Sequence, residues 1–153
     1  AARRRERGAG TRRRGAGPVK IKRVDHLGVI VSDLDGAVRS FTEHLGLELD
    51  YTEKYGEELD IAFLPCGETL VELITPLTGE GSNADYLRQH GPGIQHVAFE
   101  VDDLDAALQE LSERGVSPLG EAPVPGAGGM RIAFLDPESF GGILVELCEP
   151  VSP

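Results

Sequence analysis

The sequence predicts an α+β fold of two tandem βαβββ modules, which would form a curved eight-stranded sheet around a metal site. The main observation is an internal repeat: HLGVIVSDLDGAVRSFTE, which begins at His26, returns from His96 as HVAFEVDDLDAALQELSE. Both copies continue with the same two short runs, IAFL and LVEL, at 61–64 and 70–73 and again at 132–135 and 144–147. Because 153 residues fit one ordinary domain, the repeat indicates two modules inside a single domain.

Each module is predicted to begin with a strand followed by a helix. Residues 24–31 alternate as a strand does, and residues 33–45 then repeat apolar side chains at helical spacing before Gly46. In the second copy, three leucines between residues 104 and 111 form the helical stripe. The candidate N-caps of the two helices are Ser32 or Asp33 and Asp102 or Asp103.

Three more strands are predicted in each module, because short β-rich runs alternate with turn residues. They span 48–54, 59–65 and 70–75 in the first module and 117–120, 130–136 and 143–149 in the second. A short helix at 83–90 and a Gly-Pro-Gly break separate the modules. The modules then occupy about residues 22–78 and 92–150, within a domain of residues 19–153.

Residues 1–18 are expected to form a disordered basic tail. They are rich in arginine, glycine and alanine and have no large apolar side chain, so they cannot bury enough surface to order themselves. A nucleic-acid-binding arm or a targeting peptide would look partly similar. The segment lacks serine and shows no amphipathic face, which favours the simpler interpretation.

Composition excludes several classes of partner. The net charge is −11, although residues 1–23 hold ten of the fifteen Lys and Arg residues, so the remainder is strongly acidic. Such a surface repels nucleic acid and membranes, and no apolar run approaches the roughly eighteen residues of a membrane span. Two cysteines are too few for a disulfide framework, which favours a reducing interior. We therefore expect a cytoplasmic protein without nucleic-acid or membrane partners.

The repeat also selects a candidate metal site. Each module offers one histidine and one glutamate in an apolar, β-rich run, where an unpaired carboxylate would be costly to bury. Strand alternation turns all four side chains away from the helices, so a curled sheet would bring them together in one concave pocket. Singly, each is more often a structural residue, but the matched positions favour ligands of Co, Mn, Ni or Zn. The four residues are His26, Glu72, His96 and Glu146.

Four segments resemble the vicinal oxygen chelate superfamily, which includes glyoxalases, bleomycin resistance proteins and dioxygenases: HLGVIVSDLDGAVRSFTEHLGL, GPGIQHVAFEVDDLDAAL, GAGGMRIAFL and GGILVEL. Within it, the chain is most similar to the methylmalonyl-CoA epimerases. The resemblance covers about residues 22–150 and implies paired βαβββ modules around a metal. By motif position, its metal ligands fall on the same two histidines and two glutamates.

Three positions depart from the epimerase pattern. Gln95 stands where that family commonly has the first of two adjacent histidines. The family's HPKS run is DPES here, with Glu138 in place of a lysine. A family glutamate with an acid/base role falls at Gly56, so Glu57 is the candidate, with Glu53 and Glu58 as substitutes.

The resemblance implies that a proton leaves the carbon alpha to a thioester and returns on the opposite face. A metal would act as Lewis acid on an acyl-CoA substrate. Glu146 and Glu57 are the acid/base candidates, and Arg131 and Gln95 are the candidate substrate contacts. A surface role for Arg131 is equally open.

Alternatives remain within the same superfamily. A glyoxalase I-like lactoylglutathione lyase would use the same ligand pattern on a thiohemiacetal. A dioxygenase fits less well, because that chemistry typically keeps two histidines and one carboxylate around iron. A non-catalytic drug-binding dimer is opposed by the four intact ligands. For any of these, the modular edge strands favour a homodimer.

Overall fold

The computed structural model describes residues 19–151, so the tail predicted at 1–18 lies outside the described range. The first module contains β1 (Ile21–Ile30), α1 (Leu34–Leu45), β2 (Tyr51–Tyr55), β3 (Leu59–Cys66) and β4 (Thr69–Pro76). Helix α2 (Ser82–His90) leads to the second module, which contains β5 (Gly93–Val101), α3 (Leu104–Glu113), β6 (Val124–Pro125), β7 (Met130–Leu135) and β8 (Val145–Pro150). Two short 3-10 turns, Ala127–Gly129 and Pro137–Phe140, flank β7.

The eight strands form one mixed sheet in the order β2-β3-β4-β1-β5-β8-β7-β6. Within each module the first and last strands pair in parallel, β1 with β4 and β5 with β8. The modules meet where β1 pairs with β5 in antiparallel fashion. The predicted α+β fold of two βαβββ modules is therefore confirmed. Among the described residues, no helix is both long and apolar enough to cross a bilayer.

Strand alternation separates a helix-facing side of the sheet from a concave side. Val29 and Val31 pack with the partly buried apolar side of α1. In the second module Leu104 and Ala107 of α3 pack on Leu147 in the equivalent way. The opposite face of the first module holds a second cluster that includes Ile30, Ile61, Phe63 and Ile74, against which α2 packs. The helices thus leave the middle of the concave face to polar residues.

The second strand of the second module was predicted wrongly at 117–120. That segment touches β7 through a single bridge between Pro118 and Leu135, and the strand that pairs with β7 is Val124–Pro125. Pro118 has no N–H to donate, and Gly120 adopts a φ of 63°, which turns the chain out of an extended path. The ladder therefore stops after one bridge.

Both predicted helix starts have an aspartate N-cap. The Asp33 carboxylate accepts a hydrogen bond from Gly36 N at 3.1 Å, and the Asp103 carboxylate accepts one from Ala106 N at 3.0 Å. The backbone of both caps is extended, as an N-cap requires. The duplicated Asp-Leu-Asp motif therefore starts a helix in the same way in each module.

Replacing either N-cap aspartate with alanine should destabilise the protein by a similar amount. Asp33→Ala and Asp103→Ala are each expected to lower the free energy of unfolding by about 1 kcal/mol, because one N-terminal N–H loses its acceptor. Urea unfolding followed by circular dichroism measures the loss. Asp33→Asn and Asp103→Asn keep an acceptor and serve as controls. Equal losses in the Asn and Ala variants would contradict the capping explanation.

Candidate functional site

Three of the four predicted ligands converge at the junction of the modules. His26 Nε2 lies 3.2 Å from His96 Nε2 and 2.8 Å from Glu146 Oε2. His96 Nε2 lies 3.7 Å from the same carboxylate oxygen. All three side chains are buried, and each offers a ligand atom within 4.8 Å of the other two. We call these three residues the His-His-Glu cluster.

Glu72 reaches the cluster from β4 but lies beside a different nitrogen. Its Oε2 is 2.8 Å from His26 Nδ1, and the residue is buried. The strand register explains the placement, since Gly28 pairs with Glu72 on one side and with His96 on the other. All four predicted residues are thus gathered around the centre of β1.

Gly28 leaves the space that the His96 ring occupies. A Cβ at this position would lie 2.0 Å from His96 Cε1, far closer than any tolerated contact. The sequence contains a signal for this, because a glycine inside an apolar strand often marks the close approach of another group. The identity of that group becomes clear only from the pairing of β1 with β5.

Asp25 is a buried member of the site that the sequence reasoning missed. Between Val24 and His26 the register with β5 shifts, because Val24 pairs with Phe99 while His26 pairs with Ala98. This β-bulge interrupts the alternation of side chains. Asp25 and His26 are both buried as a result, and Asp25 Oδ2 lies 2.7 Å from His26 Nδ1. A charged residue inside an apolar strand was the available signal.

Arg23 compensates the charge of Asp25. Its Nη2 lies 3.5 Å from Asp25 Oδ1, and its Nε donates to Glu100 Oε2 at 2.9 Å. Burial works to raise the pKa of Asp25, yet its hydrogen bond to His26 and the charge of Arg23 hold that pKa below its usual range. Asp25 is therefore a carboxylate that can only accept a hydrogen bond.

The buried surroundings of the His-His-Glu cluster carry more negative charge than the nearby basic side chains balance. Three carboxylates lie against the His26 ring, namely those of Asp25, Glu72 and Glu146. Burial alone would lower the pKa of His26, but these carboxylates raise it to about 11. Burial lowers the pKa of His96 to about 4, against the opposing charge of Glu146. The site therefore favours a bound positive charge, which a proton on His26 or a divalent cation can supply.

The donor set fits a divalent cation. Glu146 Oε2 is buried and has no hydrogen-bond partner among the described residues, although it lies 2.8 Å from His26 Nε2. Two imidazole nitrogens and a carboxylate oxygen that converge on one point are a usual ligand set for first-row divalent ions. Glu72 can complete the set from the adjacent strand.

A cavity of about 260 Å³ opens above the cluster. Its polar lining includes Glu58, Asn83 and Gln95 beside the four predicted ligands, and its walls are apolar. The described residues place no Lys or Arg in this lining. Tyr55 donates to Pro125 O at 2.6 Å, which joins β6 of the second module to β2 of the first.

Arg131, predicted to contact substrate, is not among the residues that line this cavity. Ile132 lines the cavity, so alternation turns Arg131 toward α3. There Arg131 Nη2 lies 3.2 Å from Asp105 Oδ1, and its Nη1 lies 3.6 Å from Glu149 Oε2. The surface interpretation of this arginine is the one that the geometry supports.

The two other predicted site residues, Glu57 and Gln95, differ in whether they line the cavity. Glu57 lies in the exposed turn between β2 and β3, outside the cavity lining, whereas the adjacent Glu58 lines the cavity. Gln95 lines the cavity too, but its Oε1 lies 3.0 Å from His96 Nδ1. Its Nε2 donates to Asn83 Oδ1 at 2.8 Å, a contact that the sequence reasoning did not anticipate.

A curved sheet of two βαβββ modules with His and Glu donors at their junction defines the class of protein. Residues 25–134 match the sequence model of the Glyoxalase/Bleomycin resistance protein/Dioxygenase superfamily, and the chain belongs to that superfamily. The resemblance drawn from the four sequence segments is thereby confirmed.

Within this superfamily the chain is similar to named epimerases and to an uncharacterised protein. Uncharacterized protein YqjC of Bacillus subtilis is 39% identical over 132 residues, covering 85% of this chain and 94% of that protein. Ethylmalonyl-CoA/methylmalonyl-CoA epimerase of Cereibacter sphaeroides is 36% identical over 131 residues, covering 83% and 97%. The crystal structure of methylmalonyl-CoA epimerase from Mycobacterium tuberculosis superposes with a TM-score of 0.83 at 34% identity, covering 91% and 95%.

Substitution of Gly28 should disrupt the site selectively. Gly28→Ala places a methyl group 2.0 Å from the His96 ring, so the ring must move or the strands must separate. We expect the free energy of unfolding to fall by about 1–3 kcal/mol, as for other overpacked interiors. Urea unfolding measures the loss. Gly79→Ala is the matched control, since its φ lies outside the left-handed region and the nearest heavy atom is 4.0 Å away. Equal stability of the two variants would refute the close approach.

Proposed function

We propose that the protein is a methylmalonyl-CoA epimerase that uses a divalent cation to invert the carbon alpha to the thioester. The observation that carries the proposal is the buried His-His-Glu cluster, built from both modules of a chain that is 36% identical to an ethylmalonyl-CoA/methylmalonyl-CoA epimerase over 97% of that protein's length. Similarity over nearly the whole relative supports the same reaction rather than a shared module alone.

Four residues would hold the cation: His26, His96, Glu146 and Glu72. The first three already converge, and the fourth is a buried carboxylate beside His26. When bound, the cation would polarise the thioester carbonyl and stabilise the negative charge that develops on it as the α-proton leaves. The donor set is the same one that the internal repeat selects.

Epimerisation needs two proton-transfer groups, because the proton leaves one face of the α-carbon and returns on the other. Glu146 lies at the buried end of the cavity, and Glu58 lines it from the other module. Glu58 takes the role predicted for Glu57, which lies outside the lining. Glu53 is less suited to this role, because its Oε2 already accepts a hydrogen bond from Gly128 N at 3.0 Å.

The cavity size suits the acyl end of the substrate. Its volume of about 260 Å³ lies just below the roughly 300–1,000 Å³ of sites that enclose drug-sized ligands. A branched acyl group fits this space, so the nucleotide portion of coenzyme A would lie outside it. The apolar walls, which include Ile61, Ile74 and Phe134, lower the local dielectric constant and strengthen charge stabilisation at the cluster.

Deuterium exchange tests the proposal directly. In heavy water, the Co²⁺-loaded protein should incorporate deuterium at the α-carbon of methylmalonyl-CoA, as measured by mass spectrometry. Glu146→Gln should slow the exchange by about 10²–10⁴-fold, because it changes a proposed proton-transfer group that is also a proposed cation ligand. Absence of exchange in the loaded wild type, with turnover of the glutathione adduct of methylglyoxal instead, would replace the epimerase proposal by a glyoxalase I-like activity.

The second proton-transfer group has its own test with a control in the same turn. Glu58→Gln should reduce exchange at saturating methylmalonyl-CoA by about 10²-fold or more, since Glu58 lines the cavity. Glu57→Gln makes the same chemical change one residue away and should leave the exchange rate near that of the wild type. If Glu57→Gln proved the more damaging change, the assignment of Glu58 would be incorrect.

A further inference from the structure

Each histidine of the cluster is held at Nδ1 by its neighbour in the chain. His26 Nδ1 donates to Asp25 Oδ2 at 2.7 Å, and His96 Nδ1 donates to Gln95 Oε1 at 3.0 Å. A carboxylate has no proton to donate, so the contact with Asp25 requires a proton on His26 Nδ1. On the other ring, Gln95 Nε2 donates to Asn83 Oδ1 at 2.8 Å, which orients the amide oxygen toward His96.

The opposite nitrogens of the two rings are the ones that meet. His26 Nε2 and His96 Nε2 are 3.2 Å apart, with Glu146 Oε2 beside both. A neutral imidazole protonated at Nδ1 keeps its lone pair on Nε2. The two Nδ1 contacts therefore point both lone pairs at the same place.

We propose that Asp25 and Gln95 are positioning residues, which hold His26 and His96 with Nδ1 protonated so that both Nε2 atoms bind the divalent cation. The inference rests on the proposed function, because it concerns the same site. It also replaces the expected role of Gln95 as a substrate contact with a role that acts through His96.

The fold supplies the two acceptors by different means. Asp25 reaches His26 because of the β-bulge in β1, and Arg23 holds the far oxygen of its carboxylate at 3.5 Å. Gln95 precedes His96 in β5 and is tied to Asn83 in the first turn of α2. The acceptor of the first module is thus an anion anchored within the sheet, whereas the acceptor of the second is a neutral amide anchored to a helix.

This difference predicts unequal effects on the cation. A carboxylate that accepts from Nδ1–H makes the other ring nitrogen more basic than an amide does. Loss of the Asp25 acceptor should therefore weaken binding more than loss of the Gln95 acceptor. The two histidines are chemically distinct ligands despite their matched places in the repeat.

Zinc affinity of the full chain measures the effect without reference to turnover. Titration with Zn²⁺ alone should show about 10–100-fold weaker binding for Asp25→Leu, as for other residues that orient metal ligands. Asp25→Asn keeps an acceptor and should lose less, and Gln95→Met should also lose less than Asp25→Leu. Glu100→Gln is the matched control, because it alters a buried carboxylate that contacts Arg23 but neither histidine.

Nitrogen NMR of the zinc-loaded protein provides a readout that general damage would not reproduce. Long-range ¹H–¹⁵N spectra should show a proton on Nδ1 of both histidines in the wild type. Asp25→Leu should speed solvent exchange of the His26 Nδ1 proton, for which Glu72 Oε2 at 2.8 Å is then the remaining acceptor, and should leave that of His96 unchanged. Gln95→Met should speed exchange of the His96 Nδ1 proton and leave that of His26 unchanged. If Asp25→Leu does not fold, Asp25→Asn and Gln95→Met still carry the comparison.

The outcomes separate this inference from the proposed function. A wild-type chain that binds no Zn²⁺ would contradict the metal-dependent function itself. A wild type that binds Zn²⁺, together with Asp25 and Gln95 variants that bind it equally tightly, would overturn the positioning role and leave the proposed function intact. Selectively faster exchange of one Nδ1 proton with weaker zinc binding would support the positioning role.

Discussion

The antiparallel pairing of β1 with β5 is the interaction on which the site depends. It joins the two modules, and its register sets Gly28 opposite His96 while the parallel pair with β4 sets Gly28 beside Glu72. A shift of one residue would turn the side chains of β1 to the opposite face of the sheet. Strand β1 therefore positions its own His26 together with Glu72 of β4 and His96 of β5. Only glycine fits at position 28 in the middle of this strand, because a Cβ there would collide with the His96 ring.

Burial of several carboxylates around one imidazole opposes the stability of the fold unless charge is compensated. Arg23 balances part of this charge through Asp25 and Glu100, but it does not reach the carboxylates of Glu72 and Glu146. The charge of these two carboxylates is left for His26 and the proposed cation to balance. The same surplus of negative charge that makes the site costly to fold makes it suited to hold a divalent ion, which links metal affinity to stability.

The duplication supplies matched donors, but the cavity around them is not symmetric. The second module replaces a full strand with the two residues of β6 and a loop that reaches across to β2, where it meets Tyr55 and Glu53. Helix α2 is present once, between the modules, and contributes Asn83 to the lining. A cavity with such asymmetric walls can bind an asymmetric substrate in a single orientation. Two identical modules would instead allow two equivalent orientations.

The repeat, the strand–helix order, the capping aspartates and the face on which His26, His96 and Glu146 lie were all predictable from the sequence, because they follow from local periodicity and duplication. The β-bulge that brings Asp25 to His26 breaks that periodicity, so the alternation rule could not find it. The pairing of Arg131 with α3 and the presence of Glu58 rather than Glu57 in the cavity lining depend on strand register and turn direction. Such contacts join residues far apart in the chain or separated by a turn, and only the packed tertiary structure decides them.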